Sequence, residues 1–514
     1  MITVNNLELK LKKDLRVLIS DLSFTLERGD KVAVIGEEGN GKSTLIKAIH
    51  DRKTIDDYVY VSGVINTAGE RIAYLPQGFF EDDRDESVYE FLNRRAGLDM
   101  LIWEDINRIA KELSLSTDLL YSDEPMEGLS GGERIKVALF VLLSSNPTTL
   151  LLDEPTNDLD QPSRQAIIDL INSFAGIVVF VSHDELLLSE CANSIVHIEQ
   201  AHKKSQPLVT FEKIGYESYV TQRLKMLERQ SFLADEQQRQ KEIRDRKYNR
   251  IYQNVANQLQ ATGSNNPAAG KNLKDKMHAI KAMGRRYQKE DQDTVSKPHP
   301  EEELTLRLSQ RISKKEGHPL FLIDIKDLKN KGRSLAKGIH LEIDAGDKIA
   351  IVGNNGIGKT TLMNELWRTI AKDKTINSFY MPQDYYELVS KDITPISFVC
   401  SNSPQKGEQE KAASLLGLTG LLFSEMNSPM GQLSGGETAK VIFAKMAYRD
   451  YDFLLMDEPT RNISPLQLNA IRRMLKDFKG TLLFVSHDYE TVKEVADRTY
   501  ELSSQGLGPC ESGE

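Results

Sequence analysis

The sequence has few of the residues that build disulfide frameworks, metal knuckles or membrane spans. Its three cysteines, Cys191, Cys400 and Cys510, are odd in number and far apart, which argues against both a disulfide scaffold and a zinc knuckle. No run of about 18 apolar residues predicts a membrane-spanning helix. The amino-terminal stretch alternates apolar and polar residues and lacks the apolar segment of a signal peptide. We therefore expect a cytoplasmic protein of two or three domains.

The charge is unevenly distributed along the chain. The net charge of −10 argues, taken alone, against a nucleic-acid partner. Residues 223–289, however, carry 16 lysines and arginines against 6 acidic residues, a local balance of +10. A basic segment within an acidic protein is more informative than the total charge.

Five landmarks occur twice in the chain and in the same order. The intervals between them are nearly equal: in both copies the serine of LSGGE, the aspartate of the Asp-Glu pair and the histidine are 23 and then 30 positions apart. This register indicates a duplicated domain. The landmarks are a glycine-rich loop (from Gly36 and Gly353), a glutamine (Gln77, Gln383), the string LSGGE (from Leu129 and Leu433), an Asp-Glu pair (from Asp153 and Asp457) and a histidine (His183, His487).

Each copy alternates β-rich and helical stretches, which predicts an α/β fold. Apolar runs such as KVAVIG and KIAIVG read as buried strands that end in a glycine-rich turn. Polar residues follow several of these strands, and the carboxyl ends of strands are where open α/β sheets bind ligands.

Both glycine-rich loops match the P-loop pattern, which binds nucleotide phosphates. Its glycines let backbone N–H groups surround phosphate oxygens, its lysine adds a positive charge, and its hydroxyl ligates Mg²⁺. The predicted binding residues are Gly36, Gly39, Gly41, Lys42, Ser43 and Thr44 in the first copy, and Gly353, Gly356, Gly358, Lys359, Thr360 and Thr361 in the second.

The Asp-Glu pairs stand at the ends of apolar strands. Asp153 and Asp457 are placed to hold Mg²⁺, whereas Glu154 and Glu458 are placed to orient or deprotonate an attacking water. A solvated turn would explain one such pair, but the P-loop in each copy favours a catalytic role.

LSGGE beside a P-loop resembles the signature motif of the ABC ATPase superfamily, and the resemblance covers both copies. It implies that each signature caps the γ-phosphate of ATP bound at the other copy's P-loop. It also implies that Gln77 and Gln383 contact Mg²⁺ and water, and that His183 and His487 are catalytic switch residues near the γ-phosphate. Signature residues Ser130, Gly131, Gly132 and Glu133 would then face Lys359, and Ser434, Gly435, Gly436 and Glu437 would face Lys42.

Two departures from the superfamily pattern affect the expected activity. Leu11 and Leu328 stand where an aromatic residue usually stacks on adenine, which leaves the choice between ATP and GTP open. The loop after the first Asp-Glu pair has the usual D-loop form at 157–160, but the second reads Arg-Asn-Ile-Ser at 461–464. Because a D-loop contacts the opposite site, we expect the site built on Lys42 to be unusual and turnover to be unequal.

About 107 residues separate the first predicted domain, 1–211, from the second, 319–514. Helix formers dominate this linker, and a break at 263–270 predicts two long helices folded back on each other, the first of roughly 50 residues. Its shafts are basic, whereas its tip, near 255–272, is almost uncharged. Basic shafts suit a phosphate-lined channel, although an ordinary solvated hairpin remains an alternative.

Paired cassettes around a long helical linker resemble the ABC-F family. The resemblance implies ribosome binding, with the linker near the tRNA exit site and the peptidyl-transferase centre, contacting rRNA and, as a further candidate, P-site tRNA. The nearly equal spacings between Gln77 and Ser130 and between Gln383 and Ser434 leave no room for an inserted arm, which favours the antibiotic-resistance group. A housekeeping translation factor and, less favoured, a transporter ATPase with a permease partner stay as alternatives.

Overall fold

The computed structural model describes residues 1–77, 85–156, 159, 161–200, 206–261, 267–290, 306–308, 317–330, 332–401, 403 and 405–510. Two compact units share the chain. Residues 1–217 and 301–514 form one unit, and residues 218–300 form the other. The first unit therefore contains both α/β halves, and the predicted domain boundaries at 211 and 319 remain predictions.

The first half is built on a six-stranded sheet of order β5-β6-β7-β3-β8-β9, in which only the edge pair β8-β9 is antiparallel. Its central strands are buried along their whole length, as the apolar runs predict. A second, antiparallel sheet has the order β2-β1-β4. The elements are β1 (Ile2–Leu11), β2 (Val17–Leu26), β3 (Lys31–Ile35), α1 (Lys42–His50), β4 (Val59–Asn66), β5 (Ile72–Leu75), α2 (Val88–Ala96), α3 (Trp103–Glu112), α4 (Thr117–Leu120), α5 (Gly131–Ser144), β6 (Thr149–Asp153), α6 (Gln161–Ser173), β7 (Ile177–Val181), α7 (Glu185–Cys191), β8 (Ser194–Gln200) and β9 (Gln206–Glu212).

Two helices, α8 (Tyr216–Ala261) and α9 (Pro267–Glu290), follow the first half. They run antiparallel, because Tyr248 of α8 meets Tyr287 of α9 edge to face at 6.1 Å, and the Arg244 guanidinium lies 4.5 Å from the Tyr287 ring centre. At 46 residues α8 is close to the roughly 50 predicted. The side chains of most of the predicted tip, 261–270, lie outside the described residues.

The second half repeats the first. Its six-stranded sheet has the order β13-β14-β15-β12-β16-β17, with β16-β17 antiparallel, and β10 pairs with β11 in a separate antiparallel ladder. The α/β fold of two P-loop halves joined by a helical hairpin is thus confirmed. The elements are β10 (Pro319–Asn330), β11 (Arg333–Asp344), β12 (Lys348–Val352), α10 (Lys359–Ile370), β13 (Ser378–Met381), α11 (Pro395–Val399), α12 (Lys406–Leu418), α13 (Phe423–Met426), α14 (Gly435–Tyr448), β14 (Phe453–Asp457), α15 (Pro465–Asp477), β15 (Thr481–Val485), α16 (Tyr489–Val495), β16 (Arg498–Ser503) and β17 (Gly506–Pro509).

Among the described residues between the glutamine and the signature, each half has three short α-helices, α2–α4 in the first and α11–α13 in the second. The matching count agrees with the nearly equal spacings of the two copies. A search of the described helices finds none long and apolar enough to cross a membrane.

Candidate functional site

Each P-loop joins a central strand to a helix and is shaped by glycines. Gly41 caps α1 with φ of 100°, and Gly358 caps α10 with φ of 110°, a conformation that favours glycine. The Lys42 ammonium donates to the carbonyls of Gly36 at 2.7 Å and Glu37 at 3.0 Å. Lys359 makes the equivalent bonds in the second copy. Both lysines are therefore buried within the loop that they would share with a phosphate.

A hydroxyl and a carboxylate meet beside each P-loop lysine. In the first copy the Ser43 hydroxyl donates to Asp153 Oδ1 at 3.0 Å. In the second, Thr360 donates to Gln383 Oε1 at 3.4 Å and also hydrogen-bonds Asp457. Burial raises the pKa of both aspartates, and the hydroxyl and nearby lysines oppose the rise. Within the described part of the chain no cluster of three acidic, histidine or cysteine side chains forms a metal cage.

The glutamates that follow these aspartates have unusual backbone geometry. Glu154 and Glu458 have φ of 53° and 55°, and their N–H groups donate to strand carbonyls of Val181 and Val485. A non-glycine residue in this region is strained, and such strain clusters at functional sites. Burial, with a smaller contribution from the neighbouring aspartate, raises the pKa of Glu154 to about 7 and that of Glu458 to about 8.

The two histidines lie next to these glutamates. His183 Nε2 is 3.2 Å from a Glu154 oxygen, and His487 Nε2 is 3.5 Å from a Glu458 oxygen. Burial, and then the Lys42 charge, lowers the pKa of His183 to about 3, so its ring is neutral at pH 7. His183 Nδ1 donates to the carbonyl of Ile463 at 2.9 Å, which leaves Nε2 as an acceptor facing Glu154.

The D-loop contact joins the two halves. Ile463 belongs to the variant loop at 461–464, so that loop reaches the first copy's histidine. Of the first D-loop, Asn157, Asp158 and Asp160 lie outside the described residues, and Leu159 is buried. Leu335 lies nearest the P-loop Gly358 and Leu18 nearest Gly41. The Leu328 side chain is buried close to Gly358, whereas Leu11 is partly buried against the neighbouring core.

The second signature lies on the first P-loop. Ser434 caps α14 in a reciprocal box with Glu437, and the N–H of Gly436 donates to Glu38 Oε2 at 2.6 Å across the two halves. The second signature thus lies against the loop that contains Lys42, and its role at the nucleotide of that loop remains a prediction. We call this arrangement the first site.

We call the Lys359 P-loop and the first signature, which the resemblance pairs with each other, the second site. Ser130 caps α5 through a box with Glu133, as in the other copy. Ser130 and Glu133 are exposed, and so are residues 354–356 of the P-loop, whereas their first-site counterparts are at least half-buried apart from Gly39. Gln77 is exposed at the end of β5, while Gln383 reaches Thr360. The two sites therefore differ in how closely their halves approach.

Comparison with known proteins decides the family. The sequence model of the ABC transporter family matches residues 19–157 and again 336–461, just over half of the chain. The chain belongs to the ABC transporter family. Its two P-loop halves make it an ATPase.

The relatives of this ABC protein span nearly the whole chain. Probable ATP-binding protein YheS of Escherichia coli K12 is 27% identical over 98% of this chain and 79% of its own length. Ribosome protection protein VmlR of Bacillus subtilis 168 is 26% identical over 99% of this chain and 87% of its own. With these relatives, the resemblance to the ABC-F family is confirmed.

A solved structure supports the fold alone. Archaeal ribosome recycling factor aABCE1, in complex with the stalk protein aP1, is 18% identical and has a TM-score of 0.58, covering 99% of this chain and 90% of its own.

Sequence reasoning missed the polar contacts that join the halves of this ABC ATPase. Arg472 on α15 is 3% exposed, donates to Asp488 at 2.8 Å and also bonds Glu185 of the first half. Arg164 on α6 pairs with Asp184 at 2.9 Å and donates to the His487 carbonyl at 3.4 Å. Both arginines lie on ordinary amphipathic helices, so no local pattern distinguishes them.

Arg472→Met should destabilise the folded protein by about 3 kcal/mol, because it leaves two partly buried carboxylates without their shared cation. Urea unfolding compares it with Arg473→Met, whose arginine is exposed on the same helix. Equal unfolding midpoints for the two variants would contradict this prediction.

Proposed function

We propose that this ABC ATPase binds bacterial ribosomes in the cytoplasm and confers antibiotic resistance by inserting its hairpin near the peptidyl-transferase centre and dislodging the drug. One observation carries the proposal: a basic helical hairpin of 46- and 24-residue helices connects two ATPase halves. The similarity to VmlR, a ribosome protection protein, supports it. The nearly equal spacings from Gln77 to Ser130 and from Gln383 to Ser434 leave no room for an inserted arm, which favours resistance over a housekeeping role.

The charges of the hairpin support an RNA partner. Its basic side chains are mostly exposed, and the exposed ones include Arg246, Lys247, Lys274 and Arg285. Exposed cations bind the phosphate backbone by releasing its counterions, which gives affinity without base recognition. Ribosomal RNA is rich in phosphate, and a long, narrow hairpin can reach into the interior of the ribosome. Ribosomal RNA is therefore the partner that these charges favour.

The residues fit ATP with Mg²⁺. Asp457 Oδ2 is buried and, among the described residues, has no hydrogen-bond partner, as expected of a carboxylate that awaits a cation. Ser43, Gln77 and Asp153 would hold the ion in the first site, and Thr360, Gln383 and Asp457 in the second. Bound there, Mg²⁺ neutralises phosphate charge.

The remaining residues bind the phosphates, position the γ-phosphate and accept a proton from water. Lys42 and Lys359 exchange their carbonyl partners for phosphate oxygens, while the signature helix N-termini bring further N–H donors to the γ-phosphate. Glu154 and Glu458, with pKa values near neutrality, accept a proton from the attacking water. The backbone N–H groups of His183 and His487 hydrogen-bond these carboxylates and hold them in place. ATP thus closes the halves on each other, and hydrolysis lets them reopen and release the ribosome.

The Glu154→Gln, Glu458→Gln double variant should pellet with 70S ribosomes only when ATP is present, because ATP stays bound and the halves stay closed. Co-sedimentation with and without ATP measures this, and Lys42→Ala with Lys359→Ala is the control that cannot hold nucleotide. If the variant binds ATP but never pellets, the ribosome is not the partner. If the variant does pellet, drug susceptibility of expressing cells separates resistance from a housekeeping role.

A further inference from the structure

The first P-loop carries two carboxylates that contact the opposite half. Glu37 accepts a hydrogen bond from Gln467 at 2.5 Å and forms an ion pair with the Lys440 ammonium. Lys440 stands on the signature helix α14, about one turn after Gly436. The side chains are 8% and 17% exposed, so solvent screens the pair little.

The second site has the same positions but lacks the charge. Asn354 stands where Glu37 does, one residue after the first P-loop glycine, and it is exposed. Lys136 stands where Lys440 does, six residues after the signature serine, and it donates to the carbonyl of Ser114 within its own half, at 3.4 Å. A neutral amide binds an ammonium group less strongly than a carboxylate does.

We propose that Glu37 and Lys440 lock the first site shut in the absence of nucleotide, so that ATP binding and hydrolysis open and close the second site alone. The inference rests on the proposed closure of the halves by ATP and identifies the side that moves. The first site then stays closed and acts as the hinge, whereas the second site opens and closes under the control of ATP.

The burial of the two interfaces agrees with this assignment. Glu38 adds a bond to Gly436 at 2.6 Å, so both P-loop carboxylates hold α14. At the second site the signature serine and the P-loop residues 354–356 stay exposed. Hence the first site, which has the Glu37–Lys440 ion pair, is also the site whose interface is buried.

Distances across each site test the lock on the full-length protein without ribosomes. Spin labels at exposed positions 14 and 410 report the first site, since Arg16 bonds the P-loop and α12 lies against α14. Labels at exposed positions 330 and 111 report the second. Pulsed electron resonance is recorded with and without ATP and Mg²⁺ in the Glu154→Gln, Glu458→Gln background.

We expect one short first-site distance that ATP leaves unchanged and a second-site distance that ATP shortens. Glu37→Asn should make the first-site distance long without ATP, and Glu37→Lys combined with Lys440→Glu should shorten it again. Asn354→Glu, which creates the same pair with Lys136, should close the second site without ATP.

Equal responses at the two sites, or a Glu37→Asn variant that stays closed, would overturn the inference. So would a second-site distance that ATP does not change. The distance measurements do not depend on the ribosome assay. If the distances behave as expected but the protein never pellets with ribosomes, only the proposed ribosomal partner is refuted.

Discussion

Replacing both Glu154 and Glu458 by glutamine should lower the rate of ATP hydrolysis by at least about 100-fold and leave ATP binding intact. Glutamine keeps the size of the side chain but cannot accept the proton of the attacking water. Lys42 and Lys359 each donate to carbonyls of their own P-loop, and the substitutions leave these bonds in place. Phosphate release measures the rate, and fluorescent ATP measures binding.

The single variants should differ from each other. The first site carries the variant D-loop and the ion pair of Glu37, so its turnover should be the slower of the two. Glu458→Gln should therefore cost more activity than Glu154→Gln. Glu410→Gln, an exposed change on α12, is the control for purification and handling. Equal losses from the two single variants would count against unequal sites.

Reversing four exposed charges on the hairpin should weaken ribosome binding strongly and reduce its dependence on salt. If Arg246, Lys247, Lys274 and Arg285 each neutralise one phosphate, changing all four to glutamate flattens the slope of log affinity against log salt by about 3. Arg244 is left in place because it stacks on Tyr287, and its loss would disturb the pairing of the helices.

The matched control reverses four exposed lysines on the ATPase halves, at positions 13, 53, 476 and 479. Its net charge change is the same, so a general electrostatic repulsion would affect both proteins alike. Binding measured by co-sedimentation across a salt series should fall only for the hairpin variant. An unchanged affinity for that variant would remove the electrostatic role of the hairpin.

The duplicated fold could be predicted from the sequence because its evidence is local. Lys42 and Ser43 lie in one short loop between a strand and a helix, and the second copy repeats the pattern at Lys359. Buried strands such as β3 are uniformly apolar, which identifies them without reference to distant residues. The hairpin was predictable for the same reason, from helix formers on either side of one break.

The contacts between the halves could not be predicted. Glu37 and Lys440 are 403 residues apart, and nothing near either residue indicates the other. Arg472 likewise looks like a surface residue of an amphipathic helix until the fold brings Glu185 against it. An alignment of the two copies would have shown that Asn354 is the counterpart of Glu37. Only the three-dimensional arrangement reveals which lysine forms an ion pair with Glu37.

Because the lock at the first site joins Glu37 of one copy to Lys440 of the other, the duplicated segments are no longer interchangeable. A recombination event that copied the first P-loop over the second would place a glutamate at position 354, facing Lys136. By the reasoning above, that gene product would fold and bind ATP yet close on both sides. Selection on such a gene therefore acts on pairs of positions, one in each copy, and works against the homogenisation to which tandem repeats are prone.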